Sequence, residues 1–533
     1  MLVWSRSAGR LDSERPGWIG DVIVTPSLKY DMSALAAICL VFSSAAVGNA
    51  QSQPGMVAPH RNSACRIDVG DNHLVGGTGE AGSYLNEASI VAGPSRSLVV
   101  AARVNGRDRR SNAGPVRLFM SDDRGVTWRP AAVRSADRQR RAGNLNTALI
   151  LGADSSPVLL SDTGDSWSRV GDVEIGDTDI LSIRAFDQDQ SAVRRFYLFG
   201  RAAGASTQDP YRFASRINLS VVEPGRGERA VQVADLQSML AQASPPNAAE
   251  GLMGLGILSQ PLRSRSGELF MPFFTARMRT VPIGSWPWLR FWISRSTDAG
   301  TTVSGAHEML NGSGQPLIPA GFSSAWVTMA IDSGEGPLSG NLYVVWMERT
   351  SGNNGWALKF SRSSDGGRSW ASARILEAEL RDPNLVMGSG RYGYGFSGAR
   401  PTLPSIAVND RGQLMVSWYR FAPGAPDDRG FPVFRYQRVA VGSADGGDQF
   451  TPVVALASIP TNDYRPMPNA RLPLRSPADA NGDLGRFLRV AAGPDGTFYQ
   501  IWADARNGPQ EIWYASARFE CTVNATDQGG STQ

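Results

Sequence analysis

Arginines recur at one place in the pattern of this chain, where an apolar stretch typical of a β-strand comes to its end. They are Arg103, Arg277, Arg349, Arg420 and Arg506. A guanidinium group offers a planar fork of N–H donors that fits carboxylates and phosphates. If the fold brings several of these arginines together, we expect them to bind an acidic small ligand. Each arginine could instead pair with a neighbouring carboxylate, as Arg506 could with Asp504. Arg349 has Glu348 beside it in the same way.

Three carboxylates and a tyrosine lie in the same regions. They are Asp483, Asp504, Tyr394 and Glu87. The loop 479–483 alternates carboxylates and an asparagine with a glycine, which is conceivable for calcium but too short for an EF-hand. No other metal or cofactor is expected.

Several kinds of chemistry are excluded by what the sequence lacks. The three histidines, His60, His73 and His307, are not spaced as zinc ligands or as part of a Ser-His-Asp hydrolase. The glycine-rich stretch 388–398 lacks the Lys-Ser/Thr ending of a phosphate-binding loop. A net charge of +4 over 533 residues provides no concentrated field for nucleic acid.

A short pattern, Ser-x-Asp-x-Gly-x-Ser/Thr-Trp, is repeated along the chain. Segments 121–128 and 363–370 match it in full, and 160–167, 296–303 and 443–450 are degraded copies. The central acidic residues are Asp123, Asp162, Asp298, Asp365 and Asp445. Asp and Gly favour a tight turn, hydroxyls bond to local backbone, and the aromatic residue can pack between sheets. The pattern therefore predicts a turn between two antiparallel strands.

A second block, a glycine followed by an apolar run, recurs upstream of the strands that lead into these turns. It stands at 267–271, 340–346, 412–418 and 496–502, with less regular versions near Leu98, Thr147 and Arg195. Each of the seven units is typical of a four-stranded antiparallel sheet. Radial repetition of such sheets protects their edges, which favours a β-propeller. We expect an all-β fold, a propeller of six or seven blades. Six stays open beside seven because the unit near Thr147 is compressed and the one near Arg195 lacks the turn pattern.

The repeated turns resemble the Asp-box of sialidases and related bacterial-neuraminidase-repeat proteins. The segments 86–90, 482–484 and 502–506 are also similar to a group of secreted bacterial repeat proteins often labelled exo-alpha-sialidase. The resemblance implies a sialidase-type propeller in which an arginine triad holds a sugar carboxylate. It further implies an Asp as acid/base and a Tyr, activated by Glu, as nucleophile, and the candidates for these catalytic roles are Asp483, Asp504, Tyr394 and Glu87. The chain departs from the enzymes in lacking a Phe-Arg-Ile-Pro or Tyr-Arg-Ile-Pro segment.

The two rims of such a propeller are expected to differ. Strand direction alternates within a sheet, so the Asp-box turns mark one rim and the loops after the second strand lie on the other. Long loops at 350–356, 381–404, 421–433 and 460–486 belong to this second rim. Long loops on a rigid scaffold are where a binding site is expected, whereas the Asp-box turns are interpreted as structural.

The ends of the chain predict export and ring closure. Residues 32–50 have the layout of a secretory signal cut after Ala50, with Met32 as an alternative start; the rival membrane anchor needs a longer apolar run. In an oxidising compartment Cys65 and Cys521 are expected to form a disulfide, the alternative being two unpaired buried thiols. The strand at 66–69 would then complete the last blade beside 511–515.

These expectations combine into a domain plan and a function. The plan is an upstream segment with signal at 1–50, an N-terminal segment at 51–85, a propeller at 86–520 and a tail at 521–533. The expected protein is secreted or periplasmic, is monomeric and has no membrane span after signal removal. It would recognise, and in one form of the hypothesis hydrolyse, acidic glycans of the sialic-acid type. The alternative is a non-catalytic propeller that binds protein or a cell-surface polysaccharide.

Overall fold

The computed structural model describes a chain built almost wholly from β-strands. The described residues are 65–77, 84–92, 98–105, 116–131, 147–151, 157–162, 167–170, 178–186, 195–202, 216–223, 227–235, 238–239, 252–281, 284–319, 327–349, 356–378, 380–381, 398–423, 434–461, 490–507 and 510–521. All of them lie in the unit Met56–Gln533.

The strands of the first half form four antiparallel sheets, after two strands that belong to the last sheet. Those two are β1 (Cys65–Val69) and β2 (His73–Gly76). Sheet 1 contains β3 (Tyr84–Ala92), β4 (Leu98–Asn105), β5 (Val116–Ser121) and β6 (Arg129–Ala131); sheet 2 contains β7 (Thr147–Leu151), β8 (Pro157–Asp162) and β9 (Trp167–Val170). Sheet 3 contains β10 (Thr178–Phe186), β11 (Arg195–Ala202), β12 (Arg216–Glu223) and β13 (Gly227–Asp235); sheet 4 contains β14 (Leu252–Ile257), β15 (Leu262–Arg263), β16 (Leu269–Val281), β17 (Gly284–Ser296) and β18 (His307–Glu308).

The second half forms three more sheets with the same antiparallel order. Sheet 5 contains β19 (Val327–Ile331), β20 (Leu342–Arg349), β21 (Trp356–Ser363) and β22 (Arg374–Ala378); sheet 6 contains β23 (Leu380–Arg381), β24 (Gly398–Val408), β25 (Leu414–Pro423), β26 (Phe434–Ser443) and β27 (Val454–Ala455). Sheet 7 contains β28 (Val490–Ala492), β29 (Phe498–Asp504) and β30 (Glu511–Cys521), and β30 also pairs with β1 and β2.

Neighbouring sheets pack face to face, and this packing explains the strand sequences. β29 is buried at all seven positions, because sheets cover both of its faces. Contacts link sheet 1 to sheet 2 and each sheet to the next, and β28 and β29 of sheet 7 return to β3 of sheet 1. The series of sheets therefore closes on itself in a propeller-like arrangement, as the all-β prediction required.

The N-terminal segment closes this series at sheet 7. β1 pairs with the end of β30 in a register that sets Cys65 opposite Cys521, and the predicted disulfide between them is confirmed. The predicted neighbour of β1 was 511–515, but Ile67 lies opposite Phe519. Because the disulfide holds β1 at the C-terminal end of β30, it is β2 that pairs with Ile512 to Tyr514.

Without the two-residue strands β15 and β23, sheets 1, 3, 4, 5 and 6 have four strands each, and the Ser-Asp-Gly turns join the third and fourth of these in sheets 1, 4, 5 and 6. In each, the serine hydroxyl donates to the aspartate and the glycine N–H donates to the serine oxygen. The aspartates of these four turns are Asp123, Asp298, Asp365 and Asp445. Asp162 ends β8, and the turn that follows it lies outside the described residues.

Each of these turns packs on the third strand of the preceding sheet. At Gly447, with φ of 91°, an added Cβ would lie 2.3 Å from the Phe360 ring of sheet 5. At Gly125, with φ of 90°, it would lie 2.2 Å from Tyr514 of sheet 7. Glycine is therefore required twice over, for its left-handed backbone and for its missing side chain. The turns thus stabilise the contacts between sheets.

Removing the disulfide should destabilise the closed arrangement. The bond joins residues 456 positions apart, so its loss increases the entropy of the unfolded chain. We expect a Cys65→Ser/Cys521→Ser variant to lose about 2 to 5 kcal/mol of unfolding free energy, measured by urea denaturation. The wild type in reductant should lose the same amount. Equal stability of the oxidised wild type and the variant would contradict this role for the bond.

The stability that the turns contribute should depend on pH. Hydrogen bonds from the Thr302 backbone and side chain lower the pKa of Asp298 to about 2, from a usual 3.8. A lowered pKa stabilises the fold above the usual value, and this stability is lost as the pH falls through about 2. The stability deficit of an Asp298→Asn variant should therefore shrink between about pH 4 and pH 2 in urea titrations. A deficit that stays constant over this range would refute the assignment.

Candidate functional site

The candidate site lies at the edge of the sheets opposite the Ser-Asp-Gly turns. In an antiparallel sheet, the hairpin between strands two and three and the turn between strands three and four lie at opposite ends. Arg362 of sheet 5 donates to Asp448 beside the turn of sheet 6, so these neighbouring sheets run in the same sense. We call the hairpin end of the sheets the loop edge.

The predicted arginines lie near the loop edge of five sheets. Arg103 is in β4, Arg277 in β16, Arg349 ends β20, Arg420 is in β25, and Arg506 follows β29. Side-chain positions are described for Arg420 and Arg506. These arginines stand at different distances from the tryptophan of their repeats: Arg420 is two residues after Trp418, and Arg506 is four after Trp502. Strand register alone therefore does not place the arginines at equivalent positions.

The other predicted catalytic residues are only partly covered. Asp483 and Tyr394 lie outside the described residues, as does the candidate calcium loop 479–483. Glu87 lies in β3, in a bulge between Asn86 and Ser89, and its side chain is outside the described part. Asp504 is described in full.

At the contact of sheets 6 and 7, Asp504 binds a tryptophan and an arginine together. The Trp502 indole N–H donates to Asp504 Oδ2 at 3.0 Å, and Arg506 donates to the same oxygen from Nε at 2.9 Å and Nη2 at 2.6 Å. Thr461, which bridges to Tyr436 of sheet 6, donates to Oδ1. The side chains of Asp504 and Arg506 are only 1% and 9% exposed. The predicted pairing of Arg506 with Asp504 is therefore present, in a buried and fully bonded form.

At the contact of sheets 5 and 6, the carboxylate comes from the neighbouring sheet. Glu377, on β22 of sheet 5, accepts from the Trp418 indole and from Arg420 Nε, the latter at 2.6 Å. Glu377 is 10% exposed and Arg420 is 33% exposed. Burial raises the pKa of Glu377, although the nearby Arg420 charge opposes the shift. The bond to Glu377 thus fixes one side of the Arg420 guanidinium, and the rest of the side chain remains partly exposed to solvent.

A third group of the same kind is present on sheet 5. The Trp346 indole donates to Glu348 Oε2 at 3.0 Å, and Lys359 donates to Oε1 at 2.6 Å. Trp346, Trp418 and Trp502 are fully buried and occupy the same position of the glycine-led repeat. We call each tryptophan with its carboxylate and cation a seam trio. The repeated tryptophan was visible in the sequence, but its partners Glu377 and Lys359 were not foreseen.

The tyrosine nearest these groups is engaged with the backbone. Tyr419 is buried; its hydroxyl donates to Ala503 O at 3.2 Å and accepts from Ala503 N at 2.9 Å. Burial raises the pKa of Tyr419. A hydroxyl that is bonded in this way and hard to ionise joins sheets 6 and 7 and is poorly suited to act as a nucleophile.

A buried arginine, Arg438, supports the first strand of sheet 6. It donates from Nη1 to Leu403 O at 3.0 Å and from Nη2 to Ser405 Oγ at 2.6 Å, and it lies 4.9 Å from the centre of the Tyr419 ring. Burial lowers its pKa to about 10. Leu403 has a φ of 50° and lies in a bulge between Thr402 and Ser405. Bulges redirect a strand, and this one sets the direction in which β24 reaches the loop edge.

Sheet 1 has a bulge at the matching place. Ser89 pairs with Ala101 of the second strand, as Ser405 pairs with Ser417 in sheet 6. Glu87 therefore occupies in β3 the position that Leu403 occupies in β24. The part of β3 before this bulge is bonded to sheet 7, since Leu85 N donates to Gln510 O at 3.1 Å. The first strands of sheets 1 and 6 thus approach the loop edge in the same way.

A cleft of about 260 Å³ lies at the other edge, where sheet 7 meets sheet 1. Its lining includes Arg124, Tyr499 and Arg518. Asp495 pairs with Arg518 at 3.2 Å and lies 3.7 Å from Arg124, so the cationic groups there have a carboxylate partner. Asp68 and Asp123 also line the cleft, so its carboxylates outnumber its two arginines and it is a weaker candidate than the loop edge for binding an anion.

The described ranges lack two further features. They contain no group of three or more His, Cys, Asp or Glu side chains placed to hold a metal ion. Nor do they contain a helix long and apolar enough to cross a membrane.

Comparison with known proteins yields only distant likenesses. No family model and no curated protein sequence matches the chain. Among solved structures, a protein of unknown function from Dyadobacter fermentans is 13% identical with a TM-score of 0.41, covering 85% of this chain and 99% of that one. A Hadza microbial sialidase is 14% identical with a TM-score of 0.40, covering 84% and 68%. An alpha-L-arabinanase from Penicillium chrysogenum is 11% identical with a TM-score of 0.39, covering 84% and 98%. Likenesses of this strength carry no argument about function.

The seam trio at Asp504 should contribute strongly to stability. An Asp504→Asn substitution leaves the Arg506 charge buried without its counter-charge, and we expect a loss of about 3 to 5 kcal/mol in denaturant unfolding. The matched control is Asp122→Asn, because the Asp122–Arg129 pair is 65% and 60% exposed. That variant should change stability by less than about 1 kcal/mol. Similar losses of unfolding free energy in both variants would contradict a stabilising role for the buried trio.

Proposed function

We propose that this chain is an exported, seven-bladed β-propeller of the sialidase type that binds an acidic glycan at its loop edge. Seven sheets in a closed series support the blade number within the described part of the chain. The Ser-Asp-Gly turns support the likeness to Asp-box proteins. The Cys65–Cys521 disulfide suits an oxidising compartment outside the cytoplasm, in line with the signal expected at 1–50. The glycan would be free or part of a cell-surface polymer, and the propeller would act as a monomer.

Arg420 carries this proposal. It is one-third exposed at the loop edge, and its Nε is bonded to the nearly buried Glu377. Both Nη atoms are without hydrogen-bond partners among the described residues, so they remain available for a carboxylate. An arginine that is fixed on one side loses less conformational freedom on binding, which favours recognition of a sugar acid. Lys359 lies in the neighbouring trio of sheet 5, where it is already paired with Glu348, so Arg420 is the cation offered to the ligand.

Binding without hydrolysis is favoured over turnover. A general acid must reach the glycosidic oxygen, but Asp504 is 1% exposed and already bonded by Trp502, Thr461 and Arg506. Tyr419 is held by Ala503. Catalysis would therefore depend on Asp483, Tyr394 and Glu87, whose catalytic roles stay predictions.

The experiment is calorimetric titration of the exported chain with sialyllactose, with neutral lactose as the sugar control. An Arg420→Ala variant loses a charge-assisted contact and should bind the acidic sugar about tenfold more weakly or worse. Arg129→Ala removes an equally charged side chain from the opposite edge and should bind as the wild type does. Thermal melting of both variants checks that the fold is retained.

Two results would overturn the proposal. One is equal affinity of the wild type and the folded Arg420→Ala variant for sialyllactose, including no binding by either. The other is release of the fluorophore from a fluorogenic sialoside by the wild type, because turnover would make the chain a hydrolase and not a binding module.

A further inference from the structure

Two turns between first and second strands meet at the edge opposite the loop edge. The Asp332 turn, residues 332–341, joins β19 to β20 in sheet 5. The Asn409 turn, residues 409–413, joins β24 to β25 in sheet 6. Their backbones lie close together: a Cβ added at Gly334 would be 2.4 Å from the carbonyl oxygen of Asp410. The contact therefore joins the two sheets directly.

Asp332 is buried at this contact with half of its carboxylate unbonded. Its exposed fraction is 0%. Oδ1 accepts from Gly334 N at 2.8 Å, whereas Oδ2 has no hydrogen-bond partner in the described part of the protein. Oδ2 faces the Asn409 turn, because a Cβ at Gly412 would lie 2.9 Å from it. A buried carboxylate oxygen without a partner is costly, so a ligand is expected there.

A second carboxylate, Asp410, lies on the facing turn. Burial raises the pKa of the Asp332 carboxyl, and the Asp410 charge adds to the increase. The oxygens on the two facing turns are thus Oδ2 of Asp332 beside Gly412, the Asp410 carbonyl beside Gly334, and the Asp410 carboxylate, whose charge acts on Asp332. All are hard donors, and no nitrogen or sulfur ligand is among them.

The lack of a cation at this pair contrasts with its surroundings. At the same edge, Glu335 pairs with Arg265, Asp448 with Arg362, and Asp495 with Arg518. Neither Asp332 nor Asp410 forms an ion pair with a described lysine or arginine. Two neighbouring carboxylates, one of them buried, need a proton or a metal cation between them.

We propose that a calcium ion binds between the Asp332 turn and the Asn409 turn, held by Asp332 Oδ2 and by the carboxylate and carbonyl oxygens of Asp410. Oxygen ligands exclude a preference for zinc or copper. Calcium accepts irregular arrangements of carboxylate and carbonyl oxygens more readily than magnesium does. The ion would cross-link sheets 5 and 6 at the edge away from the glycan, so it would stabilise the fold without contacting the ligand.

The test uses the full exported chain after treatment with EDTA. Calcium chloride should raise its thermal midpoint and displace terbium in a luminescence titration, and magnesium at the same concentration should do so less. Asp332→Asn should lose the thermal shift, and Asp410→Asn, an exposed position, should weaken calcium binding about tenfold or more. Asp448→Asn removes a carboxylate that is already neutralised by arginine, and it should respond as the wild type does.

Other outcomes would overturn the proposal. If calcium shifts neither the wild type nor any variant, and Asp332→Asn matches wild-type stability at neutral pH, then Asp332 holds a proton instead. If the calcium response persists in Asp410→Asn at wild-type affinity, the ion binds elsewhere, for example at 479–483. Asp410→Asn decides the matter even if Asp332→Asn does not fold.

Discussion

The packing of each sheet against its predecessor is the interaction on which the rest of this structure depends. Sheets covered on both faces, such as sheet 7 with its fully buried β29, need their neighbours to keep their apolar side chains out of water. At one edge, the contact is closed by the glycines of the Ser-Asp-Gly turns, which accept the third strand of the preceding sheet. At the loop edge, two seam trios link neighbouring sheets: Glu377 of sheet 5 accepts from Trp418 and Arg420 of sheet 6, and Thr461, after β27, donates to Asp504 of sheet 7. Apolar residues fill the space between these two closures.

This dependence limits which charged side chains are free for function. Arg506 is drawn into the contact of sheets 6 and 7, where Asp504 and the Trp513 ring, 4.3 Å away, bury it. Arg420 has the same kind of carboxylate partner but remains partly exposed, because Glu377 reaches it from the next sheet and only its Nε is bonded. A seam trio can therefore stabilise the contact between two sheets and still leave its cation, here Arg420, exposed to a ligand. The difference between the two arginines is a matter of burial and not of residue type.

Local features of the chain were predictable because they depend on neighbours in sequence. In the turn at Asp298, the serine donor is two residues before the aspartate and the threonine donor four residues after it. The strand alternation and the glycine-led repeats were equally local. The disulfide could be predicted because only two cysteines follow the presumed signal. The register of β1 on β30 was misplaced, since apolar pattern alone does not tell one stretch of an eleven-residue strand from another.

The amino-acid sequence by itself determined the all-β class, the turns, the repeated sheets and the pair of cysteines that closes them. Each of these follows from residue types within a few positions of one another or from the count of one residue type. Only the tertiary structure decided which carboxylate meets which cation: Glu377 and Arg420 are 43 residues apart and belong to different sheets. The tertiary structure alone also brings the turns of Asp332 and Asp410 together, from two different sheets. Charges attract any opposite partner, so their pairing and burial depend on how the sheets are brought together, and sequence spacing does not encode that distance.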